Sequence, residues 1–261
     1  MTESPPTSDG VILSLAHRRA LVTGGAGALG RVIADTLARA GADVAILDLD
    51  SVGAESVAEE ARDHGHRALA IGVDLTDFEA VQKAVGTVIA EWGAVDILIN
   101  AAGGGAVSPF AEMSPETWRV QMSRNLDTVF NVTRAVLPSM LEQRFGRIIN
   151  IASVAAIAGG RLVRNATAYA TAKAGVVGLT KALAIEVGAD GVTVNALAPG
   201  AQATPGRDND TAERREALLA QIPTRLLGEP EHLAQTIVFL ASDAAVNVTG
   251  VILPLDGGHS I

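Results

Sequence analysis

The sequence contains no cysteine among its 261 residues. Disulfide bonds, a thiolate nucleophile and zinc sites built on cysteine are therefore excluded, and no metal site is predicted. No apolar run is long enough to span a bilayer. The polar, acidic first residues also lack the basic-then-apolar pattern of a secretory signal. We therefore expect a cytoplasmic protein.

Aromatic residues and positive charge are scarce as well. Aromatics make up 3% of the chain, and 20 Lys and Arg residues stand against 29 Asp and Glu, a formal net charge of −9. Without a dense basic tract, the chain offers little attraction to nucleic acid or to an anionic membrane surface. Neither partner is expected, so the predicted partner is a small molecule. An apolar content of 48% is sufficient for a sizeable core.

Short runs rich in Val, Ile and Leu alternate with helical patterns along the chain. Unbroken apolar runs are typical of strands buried on both faces of a parallel sheet. Strands are predicted at 20–23, 43–48, 67–73, 95–99, 146–151, 191–197 and 249–253, and helices at 28–40, 52–64, 77–92, 115–143, 168–188 and 230–242. The repeated β-α units predict an α/β fold with a single doubly wound parallel sheet of the Rossmann type and helices on both faces.

The domain organisation is simple. Residues 1–14 are predicted to be a flexible arm, and no linker or change of composition interrupts 15–261, which predicts one domain. The segment of about 201–222 is rich in Gly, Pro, Asp and Asn and ends in an amphipathic stretch, Glu213–Gln221. An insertion that follows the carboxyl end of a strand lies over the ligand crevice in such sheets. This segment is therefore predicted to be a substrate lid.

A glycine-rich segment joins the first predicted strand to the first predicted helix. Gly25, Gly27 and Gly30 satisfy the G-x-G-x-x-G spacing. Glycines there permit a tight turn and bring backbone close to a pyrophosphate at a helix N-terminus. Asp48 ends the second predicted strand, where a carboxylate accepts hydrogen bonds from the adenosine ribose. The pattern predicts a dinucleotide-binding domain, the alternative being a glycine-rich turn with a surface aspartate.

The single tyrosine, Tyr169, lies one helical turn before Lys173, so both side chains share a helix face. A tyrosine pKa near 10 is too high for efficient proton exchange at neutrality, and a neighbouring ammonium group lowers it. Ser153 follows the strand predicted around 146–151, at the edge of the sheet where ligands bind. These residues are candidates for a catalytic group, together with Asn125 in the helix predicted over 115–143. The alternatives are that Tyr169 and Lys173 are a surface pair on the helix, that Ser153 is a turn residue, and that Asn125 is an ordinary polar residue of a helix face.

Taken in order, these motifs resemble those of the short-chain dehydrogenase/reductase family from Leu15 to Gly258. The residues that carry the resemblance are Thr23-Gly24 to Gly30, Asp74-Leu75, Asn100-Ala101-Ala102-Gly103, Asn125, Ser153, Tyr169 with Lys173, Asn195 to Pro199-Gly200, Thr204, Thr249-Gly250 and Asp256-Gly257-Gly258. Each motif is modest, but the ordered set is specific. The overall length and the C-terminal motifs favour the short branch of the family.

The resemblance implies roles for these residues. Tyr169 is expected to be the general acid/base, with Lys173 tuning it and binding the nicotinamide ribose. Ser153 is expected to hydrogen-bond the reacting oxygen, and Asn125 to position a water that links Lys173 to solvent. The residues expected to contact the cofactor are Gly24, Gly27, Leu29, Gly30, Asp48, Leu49, Asp74, Leu75, Asn100, Ala102, Gly103, Tyr169, Lys173, Pro199, Gly200 and Thr204.

Three features depart from the family pattern. Ala28 stands at the usual middle glycine while Gly27 stands where a larger residue is common, as in the longer, epimerase-like branch. The sequence Asn-Ala-Ala-Gly replaces Asn-Asn-Ala-Gly, which removes one hydrogen-bonding side chain. The interval between Ser153 and Tyr169 is longer than usual, and the loop that it adds carries Arg161 and Arg164.

The leading hypothesis is an NAD-dependent alcohol dehydrogenase or ketone reductase that transfers a hydride between nicotinamide and a secondary alcohol or ketone. No basic residue follows Asp48 to receive the 2′-phosphate of NADP. One alternative is an NADPH-dependent 3-oxoacyl thioester reductase. Another is a dinucleotide-sensing protein without turnover, which is disfavoured because Tyr169 and Lys173 are both present. Small residues along 168–188, together with the resemblance, predict a homotetramer.

Overall fold

The computed structural model describes residues 13–159, 164–207 and 209–261. Within them, seven parallel strands form one sheet in the order β3-β2-β1-β4-β5-β6-β7. The strands are β1 Arg19–Thr23, β2 Asp43–Asp48, β3 Ala68–Gly72, β4 Ile97–Asn100, β5 Gly146–Ile151, β6 Val192–Pro199 and β7 Ile252–Leu255. The predicted doubly wound sheet is confirmed. Most of the predicted arm, and Arg161 in the long loop, lie outside the described residues.

Helices cover both faces of the sheet. Their bounds are α1 Ala28–Arg39, α2 Ser51–Asp63, α3 Phe78–Trp92, α4 Pro115–Met122, α5 Thr128–Glu142, α6 Ala155–Ala158, α7 Thr167–Val187, α8 Ala212–Gln221 and α9 Pro230–Ala241. Helices α1, α2 and α9 enclose a core that includes Leu37 and Leu233, and α3, α5 and α7 enclose a second core that includes Val132 and Ala184. Because both faces are covered, β4 and β5 are buried along their whole length.

The helix predicted over 115–143 is interrupted, which corrects the prediction. A π-helical turn, Ser123–Asp127, separates α4 from α5. It carries Asn125, which is fully buried and hydrogen-bonded to Gly104 and Gln121. A π-turn weakens the regular helical bonding and is retained where a functional or polar contact compensates. The contact with Gly104 is made by a residue outside the predicted helix, so the helical periodicity gives no sign of the turn.

The sheet changes its winding direction between β1 and β4, the topological switch point where ligands bind in such sheets. Thr23 and Asn100 end these two strands and are paired in register. A cleft of about 1010 Å³ opens beside them. The order of the strands therefore places the cleft next to the glycine-rich turn that follows β1.

The segment predicted as a lid leaves the sheet after β6. It contains α8, in which no residue is buried. The start of the segment meets Gly228, which lies beyond its predicted end, at a neck. There the Ala203 N–H donates to the Gly228 carbonyl at 2.8 Å, and the Gly228 N–H donates to the Ala201 carbonyl at 2.9 Å. These two backbone hydrogen bonds hold the chain together where the segment leaves and rejoins the fold. The action of the segment as a lid stays a prediction. No helix in the described ranges is long and apolar enough to cross a membrane.

Candidate active site

The turn between β1 and α1 forms one wall of the cleft. Gly24 has a φ of +66°, and a β-carbon there would lie 2.7 Å from Ala102 Cα. A β-carbon on Gly30 would overlap the Gly24 carbonyl, so both positions require glycine. Gly27 is the N-cap of α1 and makes no side-chain capping bond. The first N–H groups of α1 therefore border the cleft unmasked, which fits a pyrophosphate.

Asp48 is held firmly at the carboxyl end of β2. Its Oδ2 accepts from the Ala26 N–H at 2.9 Å, and its Oδ1 accepts from the Asp50 N–H at 3.0 Å. The carboxylate therefore braces the glycine-rich turn while it borders the cleft. Carboxylate oxygens can accept more than one hydrogen bond each, so the remaining acceptor sites fit ribose hydroxyls. Ala26 was not singled out from the sequence, because its role lies in its backbone.

Asp74 and Leu75 border the cleft beyond β3, together with Arg124 from the π-turn. Asp74 accepts from the hydroxyl and the N–H of Thr76 at 2.7 and 2.9 Å. These bonds lower the pKa of the Asp74 carboxyl, and Arg124 adds a smaller contribution in the same direction. Asp48, Asp50 and Asp74 thus face one arginine among the described residues of this wall, so the wall carries net negative charge.

The side chain of Asn100 points away from the cleft, and its predicted contact with the cofactor stays a prediction. Its side chain is turned into the sheet, where Nδ2 donates to Thr133 Oγ1 at 3.0 Å and to Asn150 Oδ1 at 2.8 Å. Asn150 in turn donates to Thr180 Oγ1 on α7 at 2.9 Å. Side chains alternate between the faces of a strand, and this one points towards α5 and α7. The side chain of Asn100 therefore joins strands and helices beneath the cleft.

The backbone of the Asn100-to-Gly103 segment does reach the cleft. Ala101 and Ala102 donate their N–H groups to Thr23 Oγ1 at 3.0 and 3.1 Å, and Gly103 follows with a φ of +140°. Thr23 therefore fixes how the segment leaves β4. This role of Thr23 was missed in the sequence because it depends on the register between β1 and β4.

Ser153, Tyr169 and Lys173 come together above β5, as predicted. Lys173 is 4% exposed, and its Nζ donates to the Ile151 carbonyl at 2.7 Å. The Nζ lies 5.9 Å from the centroid of the Tyr169 ring. Ser153 stands two residues after Ile151 and interacts with the Tyr169 hydroxyl. A phenol, a hydroxyl and a buried amino group therefore share one small volume.

The electrostatics of this group differ from the sequence argument. Burial raises the pKa of Tyr169 above its ordinary value, and the interaction with Ser153 lowers it in part. Burial also lowers the pKa of Lys173 to about 8. Desolvation disfavours the charged form of each group, and for the phenol it outweighs the interaction with Ser153. The proximity of the pair was predictable, whereas the direction of the Tyr169 shift depends on how deeply it is buried.

Asn125 reaches this group through the loop that follows β4. Its side chain accepts from the Gly104 N–H and donates to the Gly104 carbonyl, both at 3.0 Å. A β-carbon on Gly103 would lie 2.7 Å from Asn125 Oδ1 and 3.4 Å from Lys173 Nζ, and one on Gly105 would lie 3.3 Å from the Tyr169 ring. Asn125 thus holds a glycine loop against the tyrosine. Its predicted contact with a water stays a prediction.

The remaining predicted residues lie on the β6 side. Pro199 ends β6, and its carbonyl accepts from the Val154 N–H at 3.1 Å, next to Ser153. Gly200 packs against Asp256, and Thr204 lies at the neck of the lid segment. Their contact with the nicotinamide end of a cofactor stays a prediction, as do the cofactor contacts expected of Leu29 and Leu49, which border the cleft.

Comparisons with known proteins agree with this geometry. A family model described as enoyl-(acyl carrier protein) reductase matches residues 24–260. The BbsD subunit of (2S)-[(R)-hydroxy(phenyl)methyl]succinyl-CoA dehydrogenase from Thauera aromatica is 40% identical over 95% of this chain and 99% of its own length. The 3-oxoacyl-[acyl-carrier-protein] reductase FabG of Vibrio cholerae is 39% identical over 94% of this chain and 98% of its own.

A solved structure is similar over nearly the same extent. A putative short-chain alcohol dehydrogenase from Sinorhizobium meliloti 1021 superposes with a TM-score of 0.89 at 35% identity, over 95% of this chain and 98% of its own. Together with the fold and the site, these matches show that the chain belongs to the short-chain dehydrogenase/reductase family of oxidoreductases. The fold of this family binds a nicotinamide dinucleotide, as in an NAD-bound xylitol dehydrogenase of 28% identity and TM-score 0.86.

The buried lysine generates a prediction about stability and pH. The pKa of Lys173 is about 8 in the folded chain and 10.5 ordinarily. Between these values the unfolded chain holds the proton and the folded chain does not, so the free energy of unfolding should rise with pH. From pH 8 to 9.5 we expect this group to add about 1–2 kcal/mol.

Urea unfolding of the wild type and of Lys173→Met, followed by circular dichroism at each pH, measures this contribution. The Met variant should lack the additional rise, whereas Lys181→Met, at an exposed position of the same helix, should retain it. If the free energy of unfolding changed equally with pH in the wild type and in Lys173→Met, the result would contradict the lowered pKa of Lys173.

Proposed function

We propose that this oxidoreductase uses NAD and acts on a secondary alcohol or the corresponding ketone. The observation that carries the cofactor choice is Asp48, whose carboxylate borders the cleft at the carboxyl end of β2 and is held there by two backbone N–H groups. A carboxylate at this point accepts hydrogen bonds from a free ribose 2′-hydroxyl. It would face like charge from a 2′-phosphate, and Leu49 and Asp50 beside it provide no cation.

The chemistry follows from the group above β5. A bound nicotinamide supplies a hydride to the carbonyl carbon or accepts one from the carbinol carbon. Tyr169 passes the proton to or from the substrate oxygen, which Ser153 positions through a hydrogen bond. Lys173 stabilises the phenolate form of Tyr169 during the proton transfer. Burial of Lys173 strengthens that electrostatic effect, because the surrounding dielectric constant is low.

The second candidate is the NADPH-dependent reduction of a 3-oxoacyl thioester. The relative from Vibrio cholerae supports it, since its name states a 3-oxoacyl substrate. The negative wall of the cleft disfavours its cofactor, and the chain's net charge of −9 disfavours an acidic acyl carrier. The thioester remains testable as a substrate, so a panel of alcohols, sugars, hydroxysteroids and hydroxyacyl esters assayed with each cofactor separates the two candidates.

The role of Tyr169 predicts a large kinetic effect. Tyr169→Phe keeps the ring that packs against the Gly105 backbone and removes the only proton carrier proposed. We expect kcat to fall by at least about 100-fold, as is common when a general acid/base is lost, while NADH binding measured by fluorescence is retained. Turnover close to that of the wild type would remove Tyr169 from the mechanism.

The cofactor choice predicts how one substitution changes specificity. The unmodified enzyme should prefer NAD to NADP by at least about 100-fold in kcat/KM, about 2.7 kcal/mol. Leu49 is 76% exposed beside Asp48, so Leu49→Arg can add a partner for the 2′-phosphate without disturbing the core. In steady-state assays, the ratio of kcat/KM for NAD to kcat/KM for NADP should be about tenfold smaller in Leu49→Arg than in the unmodified enzyme.

A matched control is Val52→Arg, since Val52 is 79% exposed at the start of α2 and does not border the cleft. It adds the same charge close by and should leave the preference unchanged. Equal use of both cofactors by the unmodified enzyme would overturn the role of Asp48 and favour the NADPH-dependent alternative.

We also propose that the chain assembles as a homotetramer. Ala174, Gly178 and Ile185 form an exposed stripe along α7, with Ile185 86% exposed, and Phe130 on α5 is 53% exposed. A stripe of small residues allows close contact between helices of two subunits, and exposed large apolar groups favour burial. Ala168 and Ala172, which belong to the small residues of 168–188 behind the predicted assembly, are buried within the chain and are not part of this stripe.

Gly178→Arg tests this assembly. A β-carbon at Gly178 meets no atom within 4 Å, so the fold should tolerate the arginine while a helix–helix contact should not. Light scattering should give a tetramer for the wild type and a smaller species for the variant. Gly86→Arg, equally open on α3, should remain tetrameric. A wild type that is only monomeric at micromolar concentration would contradict the proposal.

A further inference from the structure

Asp50 is a second carboxylate beside Asp48, and the cofactor contacts inferred above do not include it. It is exposed and borders the same cleft. Its N–H donates to Asp48 Oδ1 at 3.0 Å, while its own Oδ1 accepts from the Gly53 N–H at 3.0 Å as the N-cap of α2. The backbone of Asp50 therefore supports Asp48, and its side chain has a defined direction because the cap holds it.

Gly53 shows where the other oxygen of this carboxylate lies. A β-carbon on Gly53 would be 2.5 Å from Asp50 Oδ2 and 2.9 Å from the Ala26 β-carbon. The Asp50 carboxylate and the glycine-rich turn are therefore packed around the same small space, which only glycine leaves open. Ala26 is also the residue whose N–H binds Asp48 Oδ2. Both carboxylates thus adjoin the same corner of the turn.

This arrangement changes the electrostatics of the corner. A group that binds Asp48 from within the cleft must approach Asp50 as well. The one arginine in the described wall of the cleft, Arg124, interacts with Asp74, which follows β3. Like charges at close range oppose binding strongly when no cation compensates them. A neutral hydroxyl is accepted by such a corner, whereas a phosphate is repelled by both carboxylates.

We propose that Asp50 is a specificity-determining residue whose carboxylate acts with that of Asp48 to exclude a 2′-phosphorylated adenosine. The inference rests on the proposed use of NAD and goes beyond it, since it divides the discrimination between two residues. Removal of Asp48 alone therefore leaves part of the preference in place. Asp50 acts on the phosphate through charge and makes no hydrogen bond that NAD requires.

The experiment uses Asp50→Asn, because asparagine is as good an N-cap as aspartate but carries no charge. Calorimetry measures the binding of adenosine 2′,5′-bisphosphate and of 5′-AMP, which differ only in the 2′-phosphate. The variant should bind the bisphosphate about tenfold more tightly and 5′-AMP as the wild type does. The gain should shrink at 0.5 M salt, since exposed charges are screened. Steady-state kcat/KM should rise about tenfold for NADP and stay unchanged for NAD.

Asp77→Asn is the matched control, because Asp77 is the N-cap of α3, accepts from the Glu79 and Ala80 N–H groups, and does not border the cleft. It should leave both affinities unchanged. An Asp50→Asn variant that binds the bisphosphate as the wild type does, or that loses affinity for 5′-AMP, would overturn the role of Asp50. The cofactor proposal is tested separately, by the kcat/KM of the wild type with NAD and with NADP. Equal values for the two cofactors would overturn that proposal.

Discussion

The site depends on one constraint, that all strands of a parallel sheet end at the same edge. Thr23 and Asn100 end neighbouring strands in register, and Ile151 and Pro199 end β5 and β6 at that edge too. Each strand therefore delivers its following turn to the same crevice. The glycine-rich turn, the glycine loop after β4 and the segment with Ser153 meet there although they are distant in sequence.

Beneath that edge, a buried chain of hydrogen bonds joins the layers. It runs from Thr133 on α5 through Asn100 and Asn150 to Thr180 on α7. Thr180 lies two helical turns after Lys173 on the same helix, so the chain fixes α7 against the strands that it crosses. Polar groups in a low-dielectric interior are costly when unpaired. A shift of α7 that broke these hydrogen bonds would therefore be unfavourable. The orientation of Tyr169 therefore depends on residues that never meet a substrate.

Function and stability are opposed at Lys173. Its ammonium group is almost wholly buried and is compensated by the Ile151 carbonyl in place of a carboxylate. A buried charge without a counter-ion destabilises the fold, yet in the proposed mechanism the same burial strengthens the effect of Lys173 on Tyr169. Active sites commonly retain such strained electrostatics. The acidic wall around Asp48 follows the same logic in the proposed function, where charges that repel one another within the fold discriminate between NAD and NADP.

The sequence by itself determined the α/β class with its doubly wound parallel sheet and the position of the glycine-rich turn. It also determined that Asp48 ends the second strand and that Tyr169 and Lys173 share one helix face. Each of these depends on local spacing, which follows directly from the periods of helices and strands. The tertiary structure alone decided the π-turn at Asn125, the inward orientation of Asn100 and the raised pKa of Tyr169. These features depend on contacts such as that between Asn125 and Gly104, and on burial by several elements at once. No periodicity records such contacts, because their partners are brought together only when the sheet and its helices pack.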